Sequence, residues 1–334
     1  MQVLVAHAVG EPSEVLRLEM RQVPEPGPGQ VRIRVQAVPV HASDLHILRG
    51  RYGFAPTFPT VLGLESVGTV DALGEGVENL SIGQRVITLG VTGTWQEYIV
   101  ADVARALPVP DAMSLSTAAQ LVANPLTALV LVTNELNVQP AEWLLQTAAG
   151  STVGQLAIQL GTHFGFKTLN VVRRRAAVDE ILALGGTAVI CTEDEDIRER
   201  VSRIVGEEGV TKAIDCVSGQ VGADVSRSLA PGGELLVYGA LATHRQTDAD
   251  KLTIPLFARS MIYETKTVRG FWLYRWFTAT PQETISASLK RTVELVADGT
   301  MDVPEGQPFE VAEFADAVRL AEAPVHGGKP LLVF

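Results

Sequence analysis

The sequence predicts an α/β fold with two domains, one a mostly antiparallel β domain and the other a doubly wound parallel sheet. The first third of the chain holds short β-like runs separated by Gly- and Pro-rich turns. Residues 143–238 instead alternate strand-like and helix-like segments, which is typical of a parallel sheet. Residues 329–334 read as a closing strand, so the parallel-sheet domain is expected to be an insertion at 121–265. The other domain then comprises 1–120 and 266–334.

The β domain is predicted from alternation and turn chemistry. Residues 30–40 alternate polar and apolar side chains, as a half-buried strand does. The preceding run Pro-Glu-Pro-Gly-Pro-Gly at 24–29 cannot be helical and is expected to be a connecting turn. Further strands are expected at 67–70, 85–89 and 95–100.

The parallel-sheet domain is predicted from its regular rhythm. Residues 114–128 are expected to form a helix that Pro125 bends or interrupts. Beyond it the apolar patterns predict strands at 143–147, 167–172, 188–191, 212–217 and 234–238, with helices at 153–164, 176–184, 197–205 and up to 228. This βαβ alternation predicts crossover helices on both faces of one sheet.

Composition excludes several classes of protein. The formal net charge of −11 argues against nucleic acid or an anionic membrane as the main partner, because phosphate binding needs clustered Lys and Arg. No apolar run approaches the length of a membrane span, and no targeting segment is recognisable at the N-terminus, so a cytoplasmic location is expected. Two cysteines, Cys191 and Cys216, cannot build a disulfide framework or a four-cysteine zinc site.

A small-residue turn joins the first strand of the alternating region to its helix. Small side chains let the backbone approach a pyrophosphate, and the helix N-terminus supplies free N–H groups. Ala148 stands at the first glycine position of the G-x-G-x-x-G pattern, so a plain strand-to-helix turn is the competing interpretation. The residues expected to contact a dinucleotide cofactor here are Ala149, Gly150, Ser151, Thr152 and Val153.

Three arginines follow the second strand of the alternating region. An enzyme that uses NAD would place an Asp or Glu there for the ribose 2′-hydroxyl. This sequence has Arg173, Arg174 and Arg175 instead, where a 2′-phosphate would lie. A solvated charge cluster is the alternative, but the position after the turn favours NADPH as the cofactor.

Four stretches resemble the medium-chain dehydrogenase/reductase superfamily, and within it the zinc-lacking branch of trans-2-enoyl thioester reductases and quinone oxidoreductases. They are V-H-A-S-D with G-R-Y-G at 40–53, N-P-L-T-A at 124–128, N-V-V-R at 170–173 and G-F-W-L-Y-R-W at 270–276. The resemblance implies a GroES-like catalytic domain with an inserted Rossmann domain. It also implies a homodimer joined through the edge of the nucleotide-domain sheet.

The resemblance also implies roles for individual residues. Tyr52 falls on the tyrosine that enoyl thioester reductases use near the substrate, although a loop tyrosine can also simply pack apolar surface. Asn124 and Thr127 correspond to residues beside the nicotinamide, Asn124 being a candidate for the chemistry and Thr127 for cofactor binding. Phe271 and Trp272 are expected at the cofactor, while Trp272 and Trp276 line an acyl channel or belong to the core.

The zinc ligands of the alcohol dehydrogenases in this superfamily are incomplete in this sequence. Leu64 stands where their histidine ligand would be, which leaves His41 and Glu65 as two candidates. No metal is therefore expected. Relatives with enoyl reductase activity usually carry Asn at the position of His41, so His41 is a candidate that donates to substrate, relays a proton or bonds Asp44.

These observations lead to one functional expectation and two alternatives. The leading hypothesis is NADPH-dependent reduction of the carbon–carbon double bond of a 2-enoyl thioester. The same hydride chemistry with another acceptor would make the chain a quinone or enone oxidoreductase. A non-catalytic binding role is disfavoured by Tyr52, the Gly150 turn and the arginine run.

Overall fold

The computed structural model describes residues 1–243, 248, 251–323 and 328–334. The chain forms two compact units, Met1–Ala123 with Val303–Phe334, and Asn124–Asp302. Over the described ranges, every helix is too short or too polar to cross a membrane.

The chain up to Ala123 is mainly β structure. Its strands are β1 (Gln2–Ala6), β2 (Leu16–Met20), β3 (Gln30–Pro39), β4 (Thr60–Val61), β5 (Val67–Leu73), β6 (Arg85–Thr88), β7 (Tyr98–Asp102) and β8 (Ala106–Pro108). Three short helices accompany them: α1 (Pro12–Val15), α2 (Ala42–Leu48) and α3 (Leu115–Ala119). The alternation predicted for 30–40 is observed in β3, whose Val31, Ile33 and Val35 are buried.

The second unit alternates strands and helices. Its strands are β9 (Trp143–Gln146), β10 (Lys167–Val172), β11 (Ala188–Cys191), β12 (Lys212–Asp215), β13 (Glu234–Val237) and β14 (Thr267–Gly270). Its helices are α4 (Thr127–Val130), α5 (Thr152–Phe164), α6 (Val178–Ala183), α7 (Ile197–Val205), α8 (Gly219–Ser228), α9 (Ala258–Tyr263), α10 (Leu273–Ala279) and α11 (Gln282–Ala297). The predicted strands and helices of this region are confirmed to within a few residues.

The C-terminal segment completes the first unit. It contains β15 (Gln307–Glu310), α12 (Phe314–Ala321) and β16 (Pro330–Val333). β16 pairs antiparallel with β3, and the resulting sheet runs β15-β16-β3-β5-β6-β8, with β7 also paired to β3. A second sheet has the order β2-β1-β4. The expected return of the chain to its first domain is therefore confirmed.

The six strands of the second unit form one parallel sheet in the order β11-β10-β9-β12-β13-β14. The order reverses between β9 and β12, because β10 lies on one side of β9 and β12 on the other. Ligands of such sheets bind outside the carboxyl ends of the strands at this reversal. The predicted doubly wound sheet is confirmed.

The second domain boundary, predicted at 265/266, is wrong. β14 pairs in parallel with β13 as the sixth strand, and the unit continues to Asp302. β14 escaped prediction because it is an edge strand of four residues, Thr-Val-Arg-Gly, none of them buried. The first boundary, between Ala123 and Asn124, lies close to the predicted one at 120/121.

The helix predicted at 114–128 is divided as Pro125 requires. α3 ends at Ala119, and Pro125 lies in a π-helical segment, Val122–Leu126, that precedes α4. A second π-helical segment, Leu131–Glu135, follows α4. Proline lacks an N–H, so it fits where the regular helical hydrogen bonds are already displaced.

Gly63 illustrates how tightly the segment after β4 is packed. Its φ is +98°, and an added Cβ would lie 2.3 Å from Thr94 Oγ1 and 2.5 Å from Trp95 Cδ1. Gly76 also has a positive φ, +80°, but nothing lies within 4 Å of its Cβ position. A comparison of alanine substitutions at the two glycines therefore separates the cost of backbone strain from the cost of steric overlap.

We predict that Gly63→Ala lowers the free energy of unfolding by about 3 kcal/mol, because strain and overlap with the buried Trp95 add. Gly76→Ala should cost about 1 kcal/mol, the strain alone. Denaturant titration followed by circular dichroism measures both. Equal losses for the two variants would show that Gly63 tolerates a side chain.

Candidate active site

The turn between β9 and α5 leaves room for a ligand at a helix N-terminus. Ser151 caps α5, its hydroxyl accepting the N–H of Gly154 at 3.2 Å. Among the residues that the structure describes, nothing lies within 4 Å of the position that a Cβ on Gly150 would take. Ala148 has a φ of +48° and turns the chain away from the strand. An open glycine beside the first N–H groups of a helix fits a pyrophosphate.

Close packing fixes this turn to its helix. A Cβ on Gly154 would lie 2.7 Å from Cα of Ala149, so only glycine allows this approach. Ala149 is fully buried and Val153 is nearly so, whereas Gly150 is exposed. Ser151 and Thr152 are half-buried. Of the predicted cofactor residues, Gly150, Ser151 and Thr152 thus reach the surface, while Ala149 and Val153 support them from below.

A buried carboxylate joins the ends of β9 and β12. Asp215 Oδ1 accepts the Thr147 hydroxyl at 2.6 Å and the N–H of Val217 at 2.9 Å, while Oδ2 accepts the N–H of Ser218 at 2.9 Å. The Thr147 hydroxyl in turn accepts the N–H of Cys216 at 3.0 Å. Burial raises the pKa of Asp215, and these hydrogen bonds oppose that effect. Sequence reasoning missed this network, although Thr147 ends one predicted strand and Asp215 lies near the end of another.

Tyr238 follows β13, so its phenol also lies at the carboxyl end of the parallel sheet. Burial raises its pKa well above its ordinary value, so the hydroxyl stays protonated. Over the described ranges, no group completes a hydrogen bond of normal geometry with this buried hydroxyl. Burial also raises the pKa of the neighbouring Cys216 thiol to about 11. A buried donor without a partner at the strand ends fits a polar ligand.

The arginine run lies at the carboxyl end of β10. All three guanidinium-bearing residues are exposed. Arg175 is ion-paired with Asp194, and its backbone N–H donates to Glu193 at 3.0 Å. Within the described part of the chain, Arg173 and Arg174 make no ion pair. Two positive charges without an ion pair among the described residues therefore lie at the end of β10, next to β9 and the turn that follows it. A 2′-phosphate requires such charges.

Phe271 and Trp272 follow β14. The N–H of Phe271 donates to the carbonyl of Val237 at 2.8 Å, which holds it beside the end of β13. Trp272 is half-buried, with its ring 5.0 Å from that of Tyr274. Trp276 is 6% exposed, and its ring packs edge-on against that of Phe277.

Asn124 and Thr127 lie where the second unit begins. Asn124 is half-buried in the π-helical segment, and its side-chain nitrogen is buried without a hydrogen-bond partner among the residues that the structure describes. Thr127 is buried at the start of α4. An unpaired buried amide is costly, and such groups mark ligand sites.

In the first unit, His41 and Glu65 form a buried pair. His41 Nε2 lies 2.5 Å from Glu65 Oε1, and the two residues are 5% and 1% exposed. Glu65 Oε2 accepts the N–H groups of Val122 and Ala123, each at 2.9 Å. Of the possibilities open for His41, Nε2 is directed at Glu65, not at an open position. The two candidate zinc ligands are thus bonded to each other, and an absent metal stays a prediction.

Two further charged groups lie near this pair. Asp44 accepts the backbone N–H of His41 at 2.8 Å; a bond between His41 and Asp44 was one of the three alternatives considered from the sequence. Burial raises the pKa of Asp44 to about 6, against the lowering effect of His41. Burial lowers the pKa of Lys329, while Glu65 and Asp44 act in the opposite direction. From the sequence, Glu65 was considered only as one member of an incomplete zinc ligand set, and Lys329 was not considered.

Tyr52 follows α2 in the same unit. Its ring is half-buried and packs edge-to-face on Phe54, with centroids 5.1 Å apart. Both rings pack against the hydrophobic core of the unit. The packing role considered from the sequence is therefore real, and its hydroxyl role is taken up below.

Family comparisons cover both units. Residues 27–111 match the alcohol dehydrogenase GroES-like domain family, and residues 152–292 match the zinc-binding dehydrogenase family. The second match extends past 265, in agreement with the structural boundary. The fold class expected from the resemblance, a GroES-like domain with an inserted Rossmann domain, is confirmed.

Similar proteins match over almost the whole chain. The mitochondrial enoyl-acyl-carrier-protein reductase of Homo sapiens is 29% identical over 97% of this chain and 86% of its own length. The Arabidopsis thaliana protein of the same name is 30% identical over 90% and 80%. A solved structure from Bacillus thuringiensis, assigned as an NADPH:quinone reductase, is 29% identical with a TM-score of 0.92, covering 100% of this chain and 98% of its own. The chain therefore belongs to the medium-chain dehydrogenase/reductase superfamily.

Proposed function

We propose that this protein is an NADPH-dependent reductase of the carbon–carbon double bond of 2-enoyl thioesters. The observation that carries the proposal is the cofactor surface of the second unit, with its open turn at Gly150 and the exposed Arg173 and Arg174, which make no ion pair among the described residues. Similarity over 97% of the chain to a protein named as an enoyl reductase supports the substrate class.

The cofactor assignment uses residues at the carboxyl ends of the strands of the parallel sheet. The pyrophosphate is assigned to the N-terminus of α5, with Ala149 to Val153 around it, and the 2′-phosphate to Arg173, Arg174 and Arg175. Arg175 contributes less, because Asp194 already neutralises it. Thr127, Phe271 and Trp272 are assigned to the nicotinamide half. The hydroxyl of Tyr238, which completes no hydrogen bond of normal geometry among the described residues, adds a donor that the sequence did not suggest.

The reaction needs few protein groups. When bound, NADPH supplies the hydride that adds to the β carbon of the substrate. Negative charge then develops on the thioester oxygen, and a proton is added at the α carbon. We assign the Tyr52 phenol as the hydrogen-bond donor to that oxygen, since a preorganised donor stabilises developing charge. Asn124, whose buried amide nitrogen lacks a partner among the described residues, is assigned as a second polar contact.

The assay that tests the function follows NADPH oxidation by its near-ultraviolet absorbance. Crotonyl-CoA, a longer 2-enoyl-CoA, a simple quinone and an enone are compared at equal concentration. We expect thioester turnover with a higher kcat/KM than the quinone gives. Turnover of the quinone or enone alone would support the alternative, which the Bacillus thuringiensis relative favours.

We predict that replacing Arg173 and Arg174 together by Ala weakens NADPH binding roughly 10- to 100-fold and NADH binding little, because two charge-assisted contacts to the phosphate are lost. Quenching of protein fluorescence measures both dissociation constants. Arg175→Ala should have a smaller effect, and Arg198→Ala, an exposed arginine on α7, none. Equal weakening of NADPH and NADH would place the phosphate elsewhere.

We also propose a homodimer formed through β14. This strand ends the six-stranded sheet and pairs with β13 on one side only. The preceding helix α9 exposes Ile262 and Tyr263, which are 65% and 76% accessible. An open strand edge flanked by apolar side chains suits a second copy of itself.

The association state is measured by light scattering after size exclusion. We expect twice the chain mass of 35.7 kDa, and a shift towards the monomer for Ile262→Lys with Tyr263→Ser. Ile82→Lys, at an exposed isoleucine of the first unit, is the control. A monomeric wild type would refute the dimer. A cytoplasmic location stays a prediction from the sequence.

A further inference from the structure

The two carboxylate oxygens of Glu65 have different hydrogen-bond partners. Oε2 accepts two backbone N–H groups, from Val122 and Ala123, at the start of the π-helical segment. Two N–H donors at a helix N-terminus stabilise the ionised carboxylate. Oε2 is therefore an anchor, and it fixes the direction in which Oε1 points.

Oε1 orients the ring of His41. Its contact with His41 Nε2, at 2.5 Å, is a hydrogen bond between the ring and the carboxylate. His41 is also the N-cap of α2, and its backbone N–H donates to the Asp44 carboxylate at 2.8 Å. The ring is thus held through Nε2 by Glu65, while Asp44 holds the backbone of the same residue.

α2 carries this orientation to Tyr52. The helix spans seven residues from its His41 cap, and its last turn is closed by the N–H of Gly50 bound to Ile47 O at 3.0 Å. The N–H of Arg51 then donates to the carbonyl of His46 at 2.8 Å. Tyr52 is the next residue, so its backbone continues from a hydrogen-bonded helix end. A shift of the N-cap is transmitted along one short rigid element.

The segment that bears Glu65 is itself fixed. The backbone carbonyl of Glu65 accepts a hydrogen bond from the Thr94 hydroxyl at 2.9 Å. Gly63, two residues earlier, packs against Thr94 and Trp95 so closely that a Cβ would overlap them. Glu65 is 1% exposed, so its carboxylate is removed from bulk solvent. A carboxylate on a rigid support can set the position of another element.

We propose that Glu65, acting through His41, is a positioning residue that sets the Tyr52 phenol for the reduction. The assignment rests on the proposed function, because it supposes that Tyr52 touches the substrate. It gives His41 a role through Tyr52 instead of direct contact with substrate. It also explains why two groups that resemble metal ligands are bonded to each other and to backbone.

The test is a kinetic double-mutant cycle on the full-length protein, with the best acceptor from the assay above. The variants are Glu65→Gln, His41→Asn and Tyr52→Phe, and each of the first two combined with the third. Glu65→Gln keeps the shape and removes the charge. His41→Asn removes the same contact from the other side and keeps a favourable helix cap. Asp71→Asn, which breaks an ion pair with Arg32 in the same unit, is the control.

We expect Tyr52→Phe, Glu65→Gln and His41→Asn each to lower kcat on the order of tenfold, with NADPH affinity changed less than about twofold. In the Tyr52→Phe background the other two changes should then cost less than about twofold, because residues that act as a unit are not additive. Asp71→Asn should keep the wild-type kcat. Melting temperatures accompany each variant, so loss of folding is separated from loss of position.

Each outcome of the cycle either supports or overturns the positioning role. Penalties that multiply with that of Tyr52→Phe, or full kcat in folded Glu65→Gln and His41→Asn, would overturn the positioning role. If Glu65→Gln does not fold, the His41→Asn arm of the cycle gives the answer. A wild type that reduces no acceptor would refute the proposed function, and the positioning role with it. Turnover without coupling refutes the positioning role alone.

Discussion

The burial of a carboxylate constrains the chain around it in both units. An ionised oxygen removed from water must be compensated by nearby donors, and backbone N–H groups supply most of them here. In the second unit Asp215 accepts hydrogen bonds from the Thr147 hydroxyl and from two N–H groups of the turn after β12. These bonds join the two central strands, β9 and β12, at their carboxyl ends. In the first unit Glu65 binds two N–H groups on one oxygen and His41 on the other. The cofactor turn and the Tyr52 segment both depend on these attachments.

The local features of the fold could be predicted from the sequence because they follow from short-range patterns. β10 and β11 have the predicted bounds, and α5 begins one residue before its predicted start. The arginine run could also be placed, since its position depends only on where β10 ends. β14 could not be predicted, because an exposed edge strand of four residues lacks the apolar run that marks buried strands.

The parts of the site that escaped prediction depend on long-range contacts. Thr147 and Asp215 are 68 positions apart, and the hydroxyl–carboxylate bond follows only from the adjacency of β9 and β12 in the sheet. The ring of His41 could be placed near Asp44 by its sequence spacing, but its direction is set by Glu65, 24 positions away. Sequence patterns identify chemistry-bearing residues, whereas pairing between them requires the sheet order.

The return of the C-terminal segment to the first unit governs the order in which the protein can assemble during synthesis. The second unit, Asn124–Asp302, is continuous in sequence and has all its strands once residue 302 has left the ribosome. The first unit lacks β16, a neighbour of β3, until Pro330–Val333 have emerged. The end of β3 that β16 covers, Ala37–Pro39, therefore stays unpaired by β16 until then, and a chain truncated before Pro330 would leave it as a template for other strands.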